Sequence, residues 1–561
     1  MKHKLLTPAL LLLALLAGAC AGVPDSTPAP PTPQAAVATP DSFSAEVATG
    51  VLKSGGNAVD AAVAVAFSLA VTYPEAGNIG GGGFMLAWVN GEAAFMDYRE
   101  TAPAAASRDM YLDANGEVIE DSSLTGHRAV GVPGTVAGLW EAHRRYGRLE
   151  WKDLLQPAID LAEHGFLVPG QLEERVREEA PRIGRVAGFS KYFGGLRGEA
   201  VFRQPDLAAV LRRVQAGGKD GFYRGETARL IADEMSRGGG LITGKDLEEY
   251  RPVWREPLRA RWRGYEILTA PPPSSGGIAV MQLLRMKDLL ASEFQGLAHN
   301  SPQYVHLTAE MEKRVFADRA EYLGDPEFVE VPVTALLAED YLAQRARSVD
   351  PNAISPLASV RPGLESRDTT HFSIVDRWGN AVANTYTLNT SFGSGVVVEG
   401  GGFLLNNEMD DFSIRPGQPN YYGVVGSAAN EVQPGKRMLS SMTPSVMLED
   451  GRVRMVLGSP GGSTIITSVY QTIVNALDFD MTAAEAVGAA RFHHQLLPAD
   501  RITVGSAHPL PADTVEALAR RGYRVESHGW ELGDVQLILR RGDAWQAASD
   551  PRGRGETRVL Q

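Results

Sequence analysis

The chain has 561 residues, is 44% hydrophobic and 22% charged, and carries a formal net charge of −13. That length allows a large core and exceeds a single small domain. The acidic balance argues against a nucleic-acid partner, which would need a basic face, and fits an enzyme for small molecules, although acidity can also reflect solubility alone.

The N-terminus predicts an export signal. Lys2, His3 and Lys4 form a basic region before an apolar run, "LLTPALLLLALLAGA", that is too short to span a bilayer as a lone transmembrane helix. Cys20, the only cysteine, follows small residues as in a bacterial lipoprotein signal, although Ala17 stands where an aliphatic residue is usual. We predict a signal peptide over 1–19 and a periplasmic lipoprotein; a cleaved signal with an incidental cysteine is the alternative.

The next segments predict a linker and then two helices. Residues 20–41 are rich in Pro, Thr and Ala, and such a composition buries little apolar surface, so we predict an extended linker. The folded body is predicted to begin at residue 42 with a short helix that ends at Gly55 and Gly56. Asn57 is the candidate N-cap of a second helix, whose Ala/Val-rich run predicts that it is buried.

Three hairpins are predicted from turn signals between apolar runs. Asn90 and Gly91 separate the strands of the first, and "DRWGN" at 376–380 separates those of the second. Asp450 and Gly451 mark the third. An Asn-Gly or Asp-Gly pair between two apolar runs is a strong signal for a hairpin.

The remaining segments predict a mixture of helices and strands. Residues 135–240 and 302–322 have helical patterns, 252–270 has a β pattern, and 329–365 is poorly patterned. The run "STIITSVYQTIVNAL" at 463–477 predicts a helix that opens directly after a glycine pair. Helices flank strand-rich pieces in both halves of the chain, which predicts a layered α+β architecture with helices covering stacked sheets.

Two threonines, Thr369 and Thr370, stand at the start of a predicted strand in "ESRDTTHFSIVD". Alone, the pair is typical of a strand, because threonine is β-branched. A nucleophilic role would require a base, and the α-amine of an N-terminal threonine can supply one. That role would require cleavage of the bond between Asp368 and Thr369.

Two charged stretches suggest how a ligand could be held. Arg99, in "MDYRETAP", follows a predicted strand and could grip a carboxylate in bidentate fashion, or form a surface ion pair. The stretch "LLNNEMDDFS" favours a substrate ammonium over a metal ion, because no histidine joins it. Its polar residues are Asn406, Asn407, Glu408, Asp410 and Asp411.

Three further stretches have weaker individual signals. Ser440 and Ser441 precede a proline-containing turn and alone indicate only a loop. Gly461 and Gly462 lie at a strand-to-helix junction, where backbone N–H groups can hold an oxyanion. The sequence "RFHHQ" at 491–495 suggests a metal site, but adjacent histidines on one helix diverge, so a structural role is predicted.

Taken in order, these stretches resemble the gamma-glutamyltranspeptidase family. They include "GGNAVDAAVA", "GGGGFM", "MDYRETAP", "TTHFSIVD", "FLLNNEMDDFS", "LSSMTPS" and "GSPGGS". No single motif is decisive, but the ordered set is specific and covers nearly the whole chain. The resemblance implies an N-terminal nucleophile hydrolase, a four-layer αββα sandwich of the α+β class. It also implies a precursor that cleaves itself into a large subunit, 42–368, and a small catalytic subunit, 369–561.

The resemblance also implies a role for each matching residue. Thr369 would be the nucleophile, oriented by Thr387, and the N–H groups of Gly461 and Gly462 would form the oxyanion hole. Tyr422 would be a gate in a lid loop. The residues implied to bind a γ-glutamyl head group are Arg99, Ser440 and Ser441 for the α-carboxylate, and Asn389, Glu408 and Asp411 for the α-ammonium.

The sequence therefore predicts an exported gamma-glutamyltransferase and glutathione hydrolase that uses no metal or organic cofactor. Its substrates would be glutathione and other γ-glutamyl compounds, with amino acids or peptides as acceptors. The two subunits would stay associated, because Arg99 and Asp411 come from opposite sides of the cut. Two alternatives stand beside this prediction. One is the same fold acting on glutaryl-cephalosporins or poly-γ-glutamate, and the other is a binding protein that kept the pocket without turnover.

Overall fold

The computed structural model describes residues 34–356, 360, 369–415, 427–497, 500–527 and 531–561. Within these residues, no helix combines the length and the apolar character needed to cross a membrane. The predicted signal peptide, the predicted lipidation site at Cys20, the cleavage residue Asp368 and the gate residue Tyr422 lie outside them.

The described residues contain strands along their whole length. The strands are β1 (Ala35–Thr39), β2 (Gly82–Val89), β3 (Glu92–Asp97), β4 (Phe166–Leu167), β5 (Val201–Phe202), β6 (Val253–Arg255), β7 (Leu258–Trp262), β8 (Tyr265–Thr269), β9 (Thr370–Val375), β10 (Ala381–Thr387), β11 (Ser445–Glu449), β12 (Arg452–Gly458), β13 (Phe492–His493), β14 (Arg501–Val504), β15 (Arg524–Ser527), β16 (Gln536–Arg541), β17 (Ala544–Ser549) and β18 (Glu556–Leu560).

Helices alternate with these strands in groups. The α-helices are α1 (Ser42–Lys53), α2 (Ala58–Thr72), α3 (Thr135–Tyr146), α4 (Trp151–His164), α5 (Gly170–Ile183), α6 (Phe189–Phe193), α7 (Pro205–Gly217), α8 (Asp220–Tyr223), α9 (Gly225–Gly238), α10 (Gly244–Glu249), α11 (Gly276–Leu289), α12 (Ala291–Phe294), α13 (Pro302–Tyr322), α14 (Val333–Leu336), α15 (Glu339–Arg347), α16 (Thr464–Leu477), α17 (Ala483–Gly488) and α18 (Ala512–Arg521).

Two antiparallel sheets form the middle of the molecule. The seven-stranded sheet has the order β18-β1-β9-β10-β2-β3-β6, and the six-stranded sheet has the order β17-β16-β12-β11-β8-β7. Strands β9 and β10 of the first sheet lie against β12 of the second. Strand β9, which follows Thr369, is therefore an interior strand of its own sheet and also packs against the other sheet.

The hydrophobic side chains form two main cores, one on each face of the seven-stranded sheet. Successive residues of β1 show the alternation, since Val37 points into one core and Ala36 and Ala38 into the other. The first core is shared with α1 to α4 and α7, and the second lies between the sheets and reaches α11, α13 and α16. The layers are thus helix, sheet, sheet and helix, which confirms the predicted sandwich.

Several local predictions are confirmed. Asn57 caps α2 in a reciprocal capping box with Asp60, and every residue of α2 is buried. The first hairpin turns at Asn90 and Gly91, whose φ angles are 53° and 83°. Two consecutive positive φ angles are what a tight two-residue hairpin turn requires.

The predicted linker over 20–41 is wrong for its last residues. Ala35–Thr39 form β1, which pairs with β9 on one side and β18 on the other, and all five residues are buried. Asp41 caps α1 by accepting a hydrogen bond from the N–H of Ser44 at 2.7 Å. The composition predicted a segment that buries little apolar surface. Strand β18, at the C-terminal end of the chain, supplies the pairing partner that makes the burial of β1 favourable.

Two other predictions need correction. The segment 329–365, read as poorly patterned, contains α14 and α15. The histidines of "RFHHQ" do not lie on a helix, since Phe492 and His493 form β13 and pair with Val504 and Thr503 of β14. These short elements are stabilised by contacts with distant parts of the chain, which local periodicity does not report.

Candidate active site

Thr369 lies immediately before β9, and Thr370 is the first residue of that strand. The side chain of Thr369 is 9% exposed, and that of Thr370 is buried. Thr369 forms part of the wall of two separate cavities. Thr370 pairs with Tyr386 of β10, its hydroxyl is buried, and it is absent from the walls of both cavities.

The first cavity, here called the head-group cavity, holds about 260 Å³ of space that protein atoms do not fill, including its opening to solvent. It brings together almost all the site residues predicted from the sequence. The residues of its wall are Arg99, Thr369, Thr387, Asn389, Glu408, Asp411, Ser440, Ser441, Met442, Gly462 and Ile465. They come from widely separated segments on both sides of residue 369.

Arg99 is the central cation of this cavity. Its guanidinium lies 2.5 Å from the carboxylate of Glu408 and 2.5 Å from that of Asp411, and its side chain is 1% exposed. Burial alone would lower the pKa of Arg99, but the charges of Glu408 and Asp411 outweigh burial and raise it. The predicted cationic and anionic subsites are therefore in direct contact.

Glu100 is a further acid beside Arg99 that sequence reasoning missed. Its carboxylate lies 3.8 Å from the guanidinium and is buried, with neither oxygen hydrogen-bonded. Burial raises the pKa of Glu100 to about 8, although Arg99 opposes this shift. Burial likewise raises the pKa of Glu408 well above its usual range. A cation bound beside these acids would favour their ionised forms and lower their pKa values.

Thr387 and Asn389 stand at the end of β10. The hydroxyl of Thr387 accepts a hydrogen bond from the backbone N–H of Asn389 at 2.7 Å, and the Asn389 amide donates to the carbonyl of Asn407 at 3.0 Å. Asn389 has a φ of 80°, a conformation that asparagine tolerates better than most residues. The positive φ ends the strand and turns the Asn389 side chain into the cavity wall.

Ser440 and Ser441 are held by a second serine pair on another segment. The carbonyl of Ser440 accepts hydrogen bonds from the backbone N–H of Ser275 at 2.7 Å and from its hydroxyl at 2.8 Å. The hydroxyl of Ser274 donates to the carbonyl of Met442 at 2.7 Å. The stretch "PSSGG" at 273–277, which leads into the first turn of α11, thus supports the Ser440–Ser441 segment.

Gly461 and Gly462 line different cavities, and Thr369 is in the wall of both. Gly462 is in the wall of the head-group cavity, and Gly461 is in the wall of the second cavity. Their φ angles are 126° and 56°, and their carbonyls accept hydrogen bonds from the N–H groups of Thr464 and Ile465 as α16 begins. Both glycine carbonyls are thus hydrogen-bonded within the first turn of the helix. This arrangement suits a role for the N–H groups of the same glycines as oxyanion donors.

The second cavity, here called the open cavity, is larger, with about 940 Å³ of unfilled space that includes its opening to solvent. Its wall carries both acids and bases. The charged residues are Glu75, Arg175, Glu531, Asp534, Arg552 and Arg554. The guanidinium of Arg554 lies 2.5 Å from one oxygen of Glu75, whose other oxygen is buried without a hydrogen-bond partner. Sequence reasoning found none of these residues.

The histidines of "RFHHQ" have structural contacts. His493 shares a hydrogen bond with the hydroxyl of Thr467 at 3.0 Å, and His494 donates to the carbonyl of Arg501 at 2.7 Å. Among the described residues, no group of three or more His, Cys, Asp or Glu side chains could hold a metal ion.

Stacked antiparallel sheets between helical layers, with a threonine at the start of a central strand, define the class of N-terminal nucleophile hydrolases. A family model described as gamma-glutamyltranspeptidase matches residues 44–560. The chain belongs to the gamma-glutamyltranspeptidase family.

Known proteins of two kinds resemble the chain. A "glutathione hydrolase proenzyme" of Pseudomonas aeruginosa is 56% identical over 94% of this chain and 94% of its own length. A "glutathione hydrolase proenzyme" of Escherichia coli is 44% identical over 96% of this chain and 97% of its own length. The solved structure of a cephalosporin acylase from Bacillus halodurans matches with a TM-score of 0.82 at 27% identity, covering 96% of this chain and 98% of that one.

Proposed function

We propose that the protein is a gamma-glutamyltransferase and glutathione hydrolase that cleaves its own chain between Asp368 and Thr369. The observation that carries the proposal is the convergence of Thr369, one buried guanidinium and two carboxylates on one small cavity. A γ-glutamyl group carries a carboxylate and an ammonium on one carbon, so it needs a cationic and an anionic partner close together.

The first chemical step is attack of the Thr369 hydroxyl oxygen on the γ-carbonyl carbon. The α-amine freed by self-cleavage takes the hydroxyl proton, and the N–H groups of Gly461 and Gly462 hold the developing oxyanion. Collapse of the tetrahedral intermediate breaks the C–N bond, and the leaving amine takes the proton. The product is an ester between Thr369 and the glutamyl group.

The second step resolves this ester. Water gives glutamate, whereas the amine of an amino acid or peptide gives a new γ-glutamyl compound. The leaving amine and the acceptor are assigned to the open cavity, because it shares Thr369 and Gly461 with the reaction centre and contains none of the predicted head-group residues. These steps use no metal or organic cofactor.

Arg99, Asn389, Glu408, Asp411, Ser440 and Ser441 are proposed to bind the glutamyl head group. Bound substrate would insert its carboxylate beside Arg99 and its ammonium beside Asp411, and so would replace part of the ion pairing between Arg99 and the two acids. These contacts would position the γ-carbonyl for attack by Thr369. Such orientation of the reacting groups lowers the activation barrier. Arg99 precedes the cut and Asp411 follows it, so both subunits must stay together as a heterodimer.

The Thr369→Ala variant tests the proposal. Purified wild-type protein is expected to show two bands on a denaturing gel and to release p-nitroaniline from a γ-glutamyl anilide. The variant is expected to remain one uncut band without activity, and Thr369→Ser to cleave and retain activity. A Thr369→Ala protein that cleaved itself and kept its activity would refute the proposal.

A glutaryl-specific acylase is the second candidate, and the similarity to a solved cephalosporin acylase favours testing it. A glutaryl group lacks the α-ammonium that Glu408 and Asp411 would bind, so we expect the γ-glutamyl anilide to be the better substrate. A higher kcat/KM for the glutaryl anilide would reverse this assignment. A poly-γ-glutamate substrate is tested in the same assay, by release of glutamate from the polymer. Uncut protein that binds glutamate without turnover would instead support the binding-protein alternative.

We further propose export to the periplasm and lipidation of Cys20, on the basis of the N-terminal sequence. The intact mass of protein purified from membranes and from the soluble fraction tests both the lipidation of Cys20 and the cleavage between Asp368 and Thr369. A mature chain that begins after residue 20, or carries no lipid on Cys20, would contradict the anchor.

A further inference from the structure

Arg319 is a buried cation close to the head-group cavity that the proposed mechanism does not use. It lies near the end of α13, its side chain is 4% exposed, and it is absent from the walls of both cavities. Burial lowers its pKa to about 9, with the charge of Asp411 opposing this shift, so Arg319 stays protonated at neutral pH. A buried charge with this electrostatic link to Asp411 affects any ligand bound there.

Hydrogen bonds connect Arg319 to the serine pair of the cavity. Its Nε–H donates to the hydroxyl oxygen of Ser275 at 3.0 Å. The Ser275 hydroxyl in turn donates to the carbonyl of Ser440 at 2.8 Å and lies 3.3 Å from the hydroxyl of Ser441. Because a guanidinium can only donate, Arg319 fixes Ser275 as an acceptor on that side and directs its single hydrogen toward Ser440.

The connection to Ser441 is the weaker one. A separation of 3.3 Å is long for a hydrogen bond between two hydroxyl groups. The Ser441 hydroxyl can therefore turn toward a bound carboxylate at little cost, while the segment that carries it stays fixed through Ser440. The adjoining start of α11 is also tightly packed, since a Cβ on Gly276 would collide with Thr443.

We propose that Arg319 is a positioning residue for recognition of the α-carboxylate, acting through Ser275 on Ser440 and Ser441. Its guanidinium fixes the serine segment, and its charge adds to that of Arg99 at the place where the carboxylate binds. This inference rests on the proposed function, in which a γ-glutamyl head group occupies the cavity.

The test measures inhibition constants of two ligands that differ only in the α-carboxylate. L-Glutamate has this group, and 4-aminobutanoate lacks it; both compete with a γ-glutamyl anilide. Arg319→Gln is expected to raise the Ki of L-glutamate about tenfold, because a hydrogen-bonded buried charge is lost. The Ki of 4-aminobutanoate should stay within about twofold of the wild-type value.

Three further variants separate positioning from stability. Ser275→Ala removes the relay and keeps the charge, so it should raise the Ki of L-glutamate by a smaller factor. Arg319→Lys keeps the charge and should recover part of the loss. Arg314→Gln is the matched control, because Arg314 is equally buried on the same helix but bonds Ser348, Glu310 and Ser355, away from the cavity. It should lower thermal stability without changing the Ki of L-glutamate.

A Ki of L-glutamate within about twofold of wild type in both Arg319→Gln and Ser275→Ala would overturn the inference. An equal rise in Arg314→Gln would also overturn it, since the effect would then be one of general stability. If Arg319→Gln does not fold, Ser275→Ala and Arg319→Lys decide alone. Wild-type protein that is inactive toward the γ-glutamyl anilide would instead refute the proposed function.

Discussion

The two cavities that meet at Thr369 differ in size and in the balance of their charges. The head-group cavity is small, and its wall places one guanidinium between two carboxylates. The open cavity is more than three times larger by volume, and its acids and bases are equal in number. A small cavity with fixed charges suits one invariant head group, whereas a larger balanced one suits leaving groups and acceptors that vary.

The largest expected effect tests the charges of the head-group cavity. Arg99→Gln removes the only partner cation of Glu408 in the ion-pair network of the described residues, and it leaves buried acids without compensation. We expect kcat/KM for a γ-glutamyl anilide to fall by about 10³-fold, because losing one partner of a buried charge pair costs about 3–5 kcal/mol. Steady-state kinetics measure the fall in kcat/KM, and a thermal melt measures the change in stability.

Asp411→Asn is the milder companion of Arg99→Gln. It should reduce kcat/KM while the melting temperature stays closer to wild type, because the Asp411 side chain is more exposed, at 12%, than that of Arg99. Near-wild-type activity of folded Arg99→Gln protein would mean that this cavity does not bind the head group.

The second effect concerns Gly461, which lies in the wall of the open cavity together with Thr369. Gly461→Ala introduces a Cβ that meets the Thr464 hydroxyl and strains a φ of 126°, so the N–H group should move away from the oxyanion position. We expect kcat to fall by about 10²–10³-fold, the usual result of losing one oxyanion donor. Gly435→Ala is the matched control, since its φ of 76° is also positive but its Cβ would meet open space. Equal losses in both variants would contradict an oxyanion role.

The third effect should be confined to the open cavity. Glu75→Gln breaks the ion pair with Arg554 and removes a buried charge. We expect the transfer efficiency to a dipeptide acceptor to fall about fivefold, while hydrolysis of the γ-glutamyl anilide changes by less than about twofold, because hydrolysis does not need a bound acceptor. Product analysis by chromatography gives both rates. If the donor KM changed more than the acceptor KM, the assignment of the two cavities would be wrong.

The smallest effect is a pH dependence of acceptor choice. Burial, followed by the negative charge of Asp550, raises the pKa of Asp534 to about 7. Asp534 is therefore mostly neutral at pH 6 and mostly ionised at pH 8, so the open cavity becomes more negative as pH rises. We expect the preference for a cationic acceptor over an anionic one to rise about threefold across this range.

Rates measured with a lysine-containing and a glutamate-containing dipeptide check this prediction. Both dipeptides begin with glycine, so their reacting α-amines ionise alike and the ratio of the two rates reports the charge of the open cavity. The Asp534→Asn variant should give a ratio that is flat with pH. A wild-type ratio that falls with pH would contradict the sign of the predicted effect.

Much of the fold could be predicted because its signals are local. The capping residue Asn57, the turn at Asn90 and Gly91, and the helix after Gly462 all depend on neighbours within a few residues. The strand β1 could not be predicted in this way, because its burial depends on pairing with β18 at the other end of the chain. Composition marked this segment as a linker only because composition contains no information about distant partners.

The sequence by itself determined most of the residues that line the head-group cavity. An ordered set of motifs named Thr369 and the polar residues that share its cavity, since each motif is a short local pattern. Only the tertiary structure decided how those residues meet. The contact between Arg99 and both Glu408 and Asp411, the buried Arg319 behind the serine pair, and the open cavity all join segments from distant parts of the chain. Their distances and burial, and hence their charges, are set by packing, which no local pattern specifies.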